Sequence, residues 1–254
     1  MIGRRLEGKS AVITGAASGI GKATSERLGA EGATLVLADI NFDGAKITAD
    51  EIAQKQNVKT MAIAFDASDA NSCRSMIDEA IIARGKLDIL CNIAGIMDWG
   101  PLADFSDARW ERMININLSS VFYICRHAIP HLVESKGNIV NMSSASGLMG
   151  LAYTTAYCAA KSGVIAITKS LAVEYASKGV RVNAVCPGGV KTPMTRDNPI
   201  PDDVDKEMLM RHWPKLGDMA EPEDVAAAVA YLASRDAQQV TGIALSVDGG
   251  QVLG

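Results

Sequence analysis

The sequence predicts an α/β fold built on one doubly wound parallel sheet of about seven strands, with helices on both faces. Three observations lead there. Short β-branched and aliphatic runs alternate with helical stretches along almost the whole chain, the pattern of repeated strand-helix-strand units. The first such run, in LEGKSAVITG, passes through a glycine-rich loop straight into a helix. Later strand-like runs end in Gly, Asn, Asp or Pro, as strands do where the chain turns away at a sheet edge.

With 254 residues, 48% of them apolar, the chain is long enough to bury a substantial core as a single domain. No repeat, low-complexity tract or linker divides it. A formal charge of −4 with interspersed signs and no lysine or arginine run excludes the basic stripe that nucleic-acid binding uses. No apolar run approaches the roughly 20 residues of a membrane helix, and MIGRRLEGKS is not followed by a secretory apolar core. The expectation is a cytoplasmic protein without nucleic-acid or membrane partners. Five cysteines, at 73, 91, 125, 158 and 186, stand singly and read as buried thiols in a reducing compartment. His127 and His131 are four apart but have no acidic or sulfur partner beside them, so no metal site is expected.

Taken in order, the first strand ends in TGAASGIGKATSERLGAEGA. Gly15, Gly19 and Gly21 lack β-carbons, so the loop that also carries Ser18 and Ile20 can turn tightly and approach a pyrophosphate, whose charge meets the amides at the helix start. ATLVLADI is the second strand. It ends in Asp39, close to the roughly 20 residues after the loop where a Rossmann-type fold places its ribose-binding acid. Asp39 can accept hydrogen bonds from the two ribose hydroxyls of NAD, whereas the extra phosphate of NADP would face its carboxylate. At contact distance and an effective dielectric near 20, like unit charges repel by about 4 kcal/mol. Neither Ile40 nor Asn41 offers an arginine to relieve that repulsion. A helix-capping aspartate is the plainer alternative, but it leaves the strand-end position unexplained. NAD is the expected cofactor.

NFDGAKITADEIAQKQ then reads as helix, VKTMAIAFDAS as a strand closed by Asp66 and Ala67, DANSCRSMIDEAIIARG as helix, and KLDILCNIAG as a strand ending at Asn92 to Gly95, Ala94 included. Ligands of such sheets bind at strand carboxyl ends, so these residues border the expected crevice. SDARWERMININLSSVFYICRHAIPHLVESKG reads as one long helix containing Asn115 and Asn117. The strand GNIVNMSS brings Ser144 to its end. From Thr155 an alanine-rich helix follows, with Val164, Ile165, Ile167, Leu171 and Val173 on an apolar side. Tyr157 and Lys161 share a face of it. A phenol normally ionises near pH 10, and an ammonium within a few ångströms lowers that by roughly 1–3 units, giving an acid or base usable near neutrality. A Tyr-Lys pair at this spacing also arises by chance on amphipathic helices, so alone it is weak evidence.

GVRVNAVCPGGVKTPM is a further strand running into Pro187, Gly188 and Gly189. Residues 194–216 break the alternation with three prolines among Met208, Met210 and Trp213, as a lid over the binding edge would. AEPEDVAAAVAYLASRDA returns to helix and TGIALSVDGG is the last strand.

These residues together carry a resemblance to the short-chain dehydrogenase/reductase family, spanning about Leu6 to Gly250. Thr14-Gly15-Ala16-Ala17-Ser18-Gly19-Ile20-Gly21 matches its cofactor loop, and Asn92-Ile93-Ala94-Gly95 matches its Asn-Asn-Ala-Gly turn, with Ile93 in place of the second asparagine. The resemblance implies a catalytic tetrad of Asn117, Ser144, Tyr157 and Lys161. It implies adenine-side contacts at Asp66 and Ala67, and a nicotinamide-side loop with Pro187, Gly188, Val190 and Thr192. Ser144 is chosen over Ser143 because the family serine lies thirteen positions before its tyrosine. In the implied mechanism Tyr157 exchanges the proton, Ser144 holds the substrate oxygen, Lys161 lowers the tyrosine pKa and binds the nicotinamide ribose, and Asn117 holds a water that connects Lys161 to solvent. A homotetramer is also implied, with the Tyr157 helix and the preceding long helix between subunits and the last strand at another contact.

The expected function is NAD-dependent interconversion of a secondary alcohol and a ketone. Met97, Trp99, Leu148, Met149, Tyr153, Met194 and Trp213 suggest a largely apolar substrate of hydroxysteroid, cyclic alcohol or hydroxyacyl type. The alternatives are an NADPH-dependent 3-oxoacyl thioester reductase, which Asp39 opposes, and a catalytically silent dinucleotide-binding regulator, which the complete tetrad opposes.

Overall fold

The strands that the periodicity predicts are present: β1 (Ser10–Thr14), β2 (Thr34–Asp39), β3 (Thr60–Ala64), β4 (Ile89–Asn92), β5 (Asn138–Met142), β6 (Arg181–Pro187) and β7 (Ala244–Val247). In the computed structural model, which describes residues 3–198, 200, 204–210 and 212–253, they pair in parallel in the order β3-β2-β1-β4-β5-β6-β7. Successive side chains of a strand face opposite sides of the sheet. Ala11 and Ile13 of β1 accordingly enter one core and Val12 the other, and Leu35 and Leu37 of β2 are separated from Val36 in the same way.

One core is closed by α1 (Gly19–Ala30), α2 (Phe42–Gln56) and the late helix Pro222–Ala233, through Leu28, Ile52 and Val229. The other is closed by α3 (Ala70–Arg84) and by the helices Ser120–Ser135 and Thr155–Tyr175, through Ile77, Ile124 and Val164. Helix starts follow local chemistry. The Asn41 side chain accepts from Gly44 N ahead of α2, and Asp69 accepts from Asn71 N and Ser72 N ahead of α3. Gly85, at φ 72°, ends α3 in the left-handed conformation that a β-carbon disfavours.

Strand order reverses between β1 and β4. The chain runs outward from β1 to β3 and then returns to the other side of β1, which opens a crevice at the carboxyl ends of these two strands. The glycine loop and the Asn92–Gly95 turn leave from that point.

Two boundaries differ from the sequence expectation. β3 stops at Ala64, so Asp66 and Ala67 lie in the loop beyond it; there the Asp66 carboxylate accepts from Ser68 N at 2.8 Å and from its hydroxyl at 2.7 Å. The single long helix is three pieces: α4 (Asp107–Ile114), a π-helical turn at Asn115–Ser119, and α5 (Ser120–Ser135). A π turn inserts backbone into the helix and resets which face each later residue presents. α6 (Thr155–Tyr175) starts where expected. The 194–216 stretch overlaps α7 (Pro193–Arg196) and contains α8 (Lys206–Met210), while its residues 199, 201–203 and 211 lie outside the described residues. α9 (Pro222–Ala233) opens with Pro222 and a Glu221–Asp224 capping box. Among the described residues no helix is long and apolar enough to cross a membrane.

Candidate active site

A cavity of about 500 Å³ opens over the carboxyl ends of β1, β4, β5 and β6. Of the sequence-predicted residues, its wall holds Gly15, Ser18, Gly19, Ile20 and Gly21 from the first loop, Ala94 and Gly95 from the fourth strand's turn, and Ser144, Tyr157 and Lys161. Pro187, Gly188, Val190 and Thr192 complete it. A second cavity of about 540 Å³ lies at the amino ends of the strands, beside Arg5, Lys9, Asp88, Asn138 and Arg181, and holds none of the predicted residues.

α6 positions the central pair. Tyr157 and Lys161 stand one turn apart, 9% and 4% exposed, with the ammonium 5.5 Å from the centre of the phenol ring. Lys161 Nζ donates to Met142 O at 3.0 Å, which ties the helix to the last residue of β5. The two serines that follow β5 diverge. Ser143 Oγ donates to Lys161 O at 2.8 Å, while Ser144 Oγ accepts from Ser146 N at 3.1 Å and faces the Tyr157 hydroxyl. The structure therefore places Ser144, not Ser143, opposite the phenol.

The electrostatics of the pair depart from the expectation that the ammonium makes the phenol acidic. Burial pushes the Tyr157 hydroxyl up to about 12, with the Ser144 hydrogen bond acting in the opposite sense. Burial also lowers the Lys161 ammonium to about 8. Withdrawal from water disfavours both charged forms.

Asn117 lies in the π turn, fully buried and behind the cavity wall. Its Oδ1 accepts from Ile96 N at 3.1 Å, and its Nδ2 donates to Met113 O at 3.1 Å and contacts Met113 Sδ at 2.8 Å. A β-carbon at Gly95 would sit 2.7 Å from Asn117 Oδ1 and 3.4 Å from Lys161 Nζ, so that glycine lets the turn pass between the amide and the ammonium. Asn92 is turned into the core, where Nδ2 donates to Asn141 Oδ1 at 2.9 Å. Sequence analysis names Thr14 only within the cofactor-loop match and misses its role: its hydroxyl accepts from both Ile93 N and Ala94 N, at 2.9 and 3.0 Å, and fixes the turn onto β1. A threonine at a strand end was the available signal.

The residues present fit a dinucleotide. A β-carbon at Gly21 would meet Gly15 O at 2.0 Å, and Gly15 itself is at φ 70°, so the tight entry into α1 needs both glycines. α1 starts with no side-chain cap and no acidic residue in its first turn, which leaves its amides and positive end to an anion. Asp39 at the end of β2 accepts from Ala17 N and Asn41 N, both at 2.9 Å, and its oxygens keep further lone pairs for hydroxyl donors. It thus braces the glycine loop, while Asn41 supplies the cap of α2. Asp39, the 76% exposed Ile40, Asp66 and Ala67 lie outside the cavity wall, on the β2–β3 side of the crevice.

Toward the substrate side, Met97, Trp99, Met194 and Trp213 line the cavity as expected, but Leu148, Met149 and Tyr153 do not. Tyr153 instead takes φ 63° and its hydroxyl accepts from Asp205 N at 3.1 Å, pinning the segment before α8. Leu151, Asn198, Leu209, His212, Met219 and Gln251 line the wall and were not expected. Half of them come from the irregular stretch, where no periodicity says which way a side chain points.

The family model described as "Enoyl-(Acyl carrier protein) reductase" matches residues 15–251. The chain is 40% identical over 247 residues to a meso-2,3-butanediol dehydrogenase of Serratia marcescens, covering 97% of this chain and 95% of the relative. It is 40% identical over 251 residues to a cis-4-hydroxycyclohexanecarboxylate dehydrogenase of Sinomonas cyclohexanicum, covering 98% of each. A crystal structure of a short-chain dehydrogenase from Mycobacterium paratuberculosis bound to NAD superposes with a TM-score of 0.91 at 29% identity, over 98% of this chain and 100% of the other. With the family model spanning nearly the full length and the sheet order, glycine loop and α6 pair in agreement, the chain belongs to the short-chain dehydrogenase/reductase family.

Proposed function

We propose that this protein is an NAD-dependent dehydrogenase that interconverts a secondary alcohol and its ketone. One observation carries the reading: Tyr157 and Lys161 stand one turn apart in the wall of a cavity that the glycine loop shares, with Ser144 facing the phenol. The names of the relatives, dehydrogenases of a butanediol and of a hydroxycyclohexanecarboxylate, support the same reaction class. NAD, when bound, supplies the hydride acceptor. The Tyr157 hydroxyl exchanges a proton with the substrate oxygen, and Ser144 holds that oxygen by donating to it. Lys161, anchored on Met142 O, favours the phenolate during that exchange. Asn117 fixes the turn beside Lys161 and, through the second lone pair of Oδ1, holds a water on the proton path.

As the protein stands, the phenol at about 12 keeps its proton at neutral pH, which suits it to protonate a forming alkoxide in ketone reduction. Met97, Leu151, Met194 and Leu209 make the substrate side largely apolar. The charge of Asp39 favours NAD and opposes an NADPH-dependent thioester reductase. The exposed Trp110 of α4, Phe122 of α5 and Val173 of α6 support self-association across these helices as a homotetramer, with Leu253 exposed near the end of β7 for a second contact.

Four outcomes test this. Tyr157→Phe lowers kcat about a hundredfold or more while NADH still binds in a fluorescence titration, in line with general acid-base contributions; unchanged turnover ends the assignment. Asp39→Asn raises the ratio of kcat/KM with NADP to that with NAD about tenfold or more, because 1.4 kcal/mol of the removed repulsion suffices for that factor.

The third concerns pH. Below about 8 Lys161 is charged both folded and unfolded, so the cost of burying the ammonium is fully present. Between about 8 and the ordinary lysine value of 10.5 the unfolded chain binds the extra proton, so the contribution of this group to stability rises with pH. For Tyr157, raised from 10.0 to about 12, the sign is opposite and stability falls across that upper window. The stability of the parent relative to Lys161→Met therefore rises between pH 7 and pH 10, by on the order of 2–3 kcal/mol. Urea midpoints at the two pH values measure it, and a difference that does not move with pH contradicts the assignment of the cost to the ammonium. The fourth is assembly: light scattering returns the mass of four chains, and a monomer refutes the tetramer.

A further inference from the structure

We infer that the substrate carries a second oxygen, apart from the one that is oxidised, and that the Trp99 indole N–H receives it. This rests on the proposed function and adds to it the class of alcohol. The substrate side of the cavity is mostly thioether and aliphatic, yet two polar atoms of its lining residues, Trp99 Nε1 and His212 Nδ1, are buried without a partner among the described residues. Their neighbours show that this is not general slackness. Trp213 Nε1 donates to Gly217 O at 3.0 Å, and Asn198 Nδ2 donates to Met97 O at 2.9 Å.

The segment that carries Trp99 is held on both sides. Arg109 grips the Asp98 carboxylate through two hydrogen bonds of 2.8 and 2.7 Å and donates to Trp99 O at 2.6 Å, with its guanidinium stacked 4.2 Å over Phe105. Gly100 N donates to Tyr153 O at 2.9 Å. The backbone that carries the indole is thus held at the substrate side, and the indole N–H has no partner among the described residues.

An indole N–H only donates, so its partner is an acceptor oxygen. The imidazole of His212 donates or accepts according to its tautomer. A hydroxyl, carbonyl or carboxylate oxygen on the substrate satisfies the indole, and the chemical class is a secondary alcohol that bears such a group: a diol, a hydroxyketone or a hydroxycarboxylate. Because a buried donor without a partner is unfavourable, a site of this kind discriminates against the analogue that lacks the oxygen.

The test compares kcat/KM with NAD for matched skeletons: cyclohexanol against the 1,2-, 1,3- and 1,4-cyclohexanediols, the hydroxycyclohexanones and the hydroxycyclohexanecarboxylates, and butan-2-ol against butane-2,3-diol. At least one oxygen-bearing member is expected to exceed its mono-alcohol by about tenfold or more, and in Trp99→Phe that ratio falls about tenfold. A substitution that merely disturbs the loop lowers both members together and leaves the ratio unchanged. Equal or better turnover of the mono-alcohols in the parent, or an unchanged ratio in Trp99→Phe, overturns the inference and leaves the dehydrogenase reading standing. No turnover of any alcohol with NAD, nor of the matching ketones with NADH, overturns the dehydrogenase reading and this inference with it.

Discussion

The hydrogen bond from the buried Lys161 ammonium to Met142 O couples a side chain on a helix to the end of a strand in the middle of the sheet. Met142 is held in register by its pairing with Val185 of β6, so the ammonium inherits the rigidity of the ladder. Tyr157, one turn earlier, is placed by the same contact. Alternation along the extended backbone then separates the two serines after β5: Ser143 closes onto Lys161 O from one side while Ser144 turns to the cavity. Gly147 is part of this packing. A β-carbon there would approach Ser143 Oγ to 2.6 Å and Lys161 O to 2.9 Å, so α6 could not lie so close to the loop.

The burial that fixes this pair also works against its charges. Tyr157 is pushed up and Lys161 down because each loses water. Proximity on one helix face is written in the sequence; desolvation is not, because it depends on residues from β5, β6 and the Asn92–Gly95 turn closing around the pair. That is why the direction of the phenol shift could not be read from the Tyr-Lys spacing. Much else was legible where the cause is local: the glycine loop, the strand-end position of Asp39, and the choice of Ser144 by its distance from Tyr157. The π turn at Asn115–Ser119 was not, since helical periodicity continues on both sides of it and hides one inserted backbone step. The inward side chain of Asn92 and the bracing role of Thr14 depend on partners 49 and 79 or 80 residues away in the chain.

Asp39 shows how one residue serves both loop and ligand. Its two carboxylate oxygens already hold Ala17 N and Asn41 N, so the group expected to select the dinucleotide also fixes the loop that would carry the pyrophosphate. Loop geometry and cofactor preference are coupled through one charge. A neutral residue of the same shape alters the electrostatics while keeping an acceptor for one amide, whereas a smaller residue would change both at once.

The two sides of the cavity are made differently, and this separates what the fold determines from what it leaves free. The dinucleotide side is built from loops that leave β1, β4, β5 and β6 within a few residues of paired backbone, so its positions follow from the sheet. The substrate side comes from residues 97–99, Leu151 and the stretch 194–219, which belong to no strand. Loops placed on a rigid scaffold change without disturbing the core beneath them. The proposed proton exchange at Tyr157 therefore rests on the sheet-borne frame, while the proposed choice of alcohol rests on loop residues, Trp99 among them, that the sheet does not position.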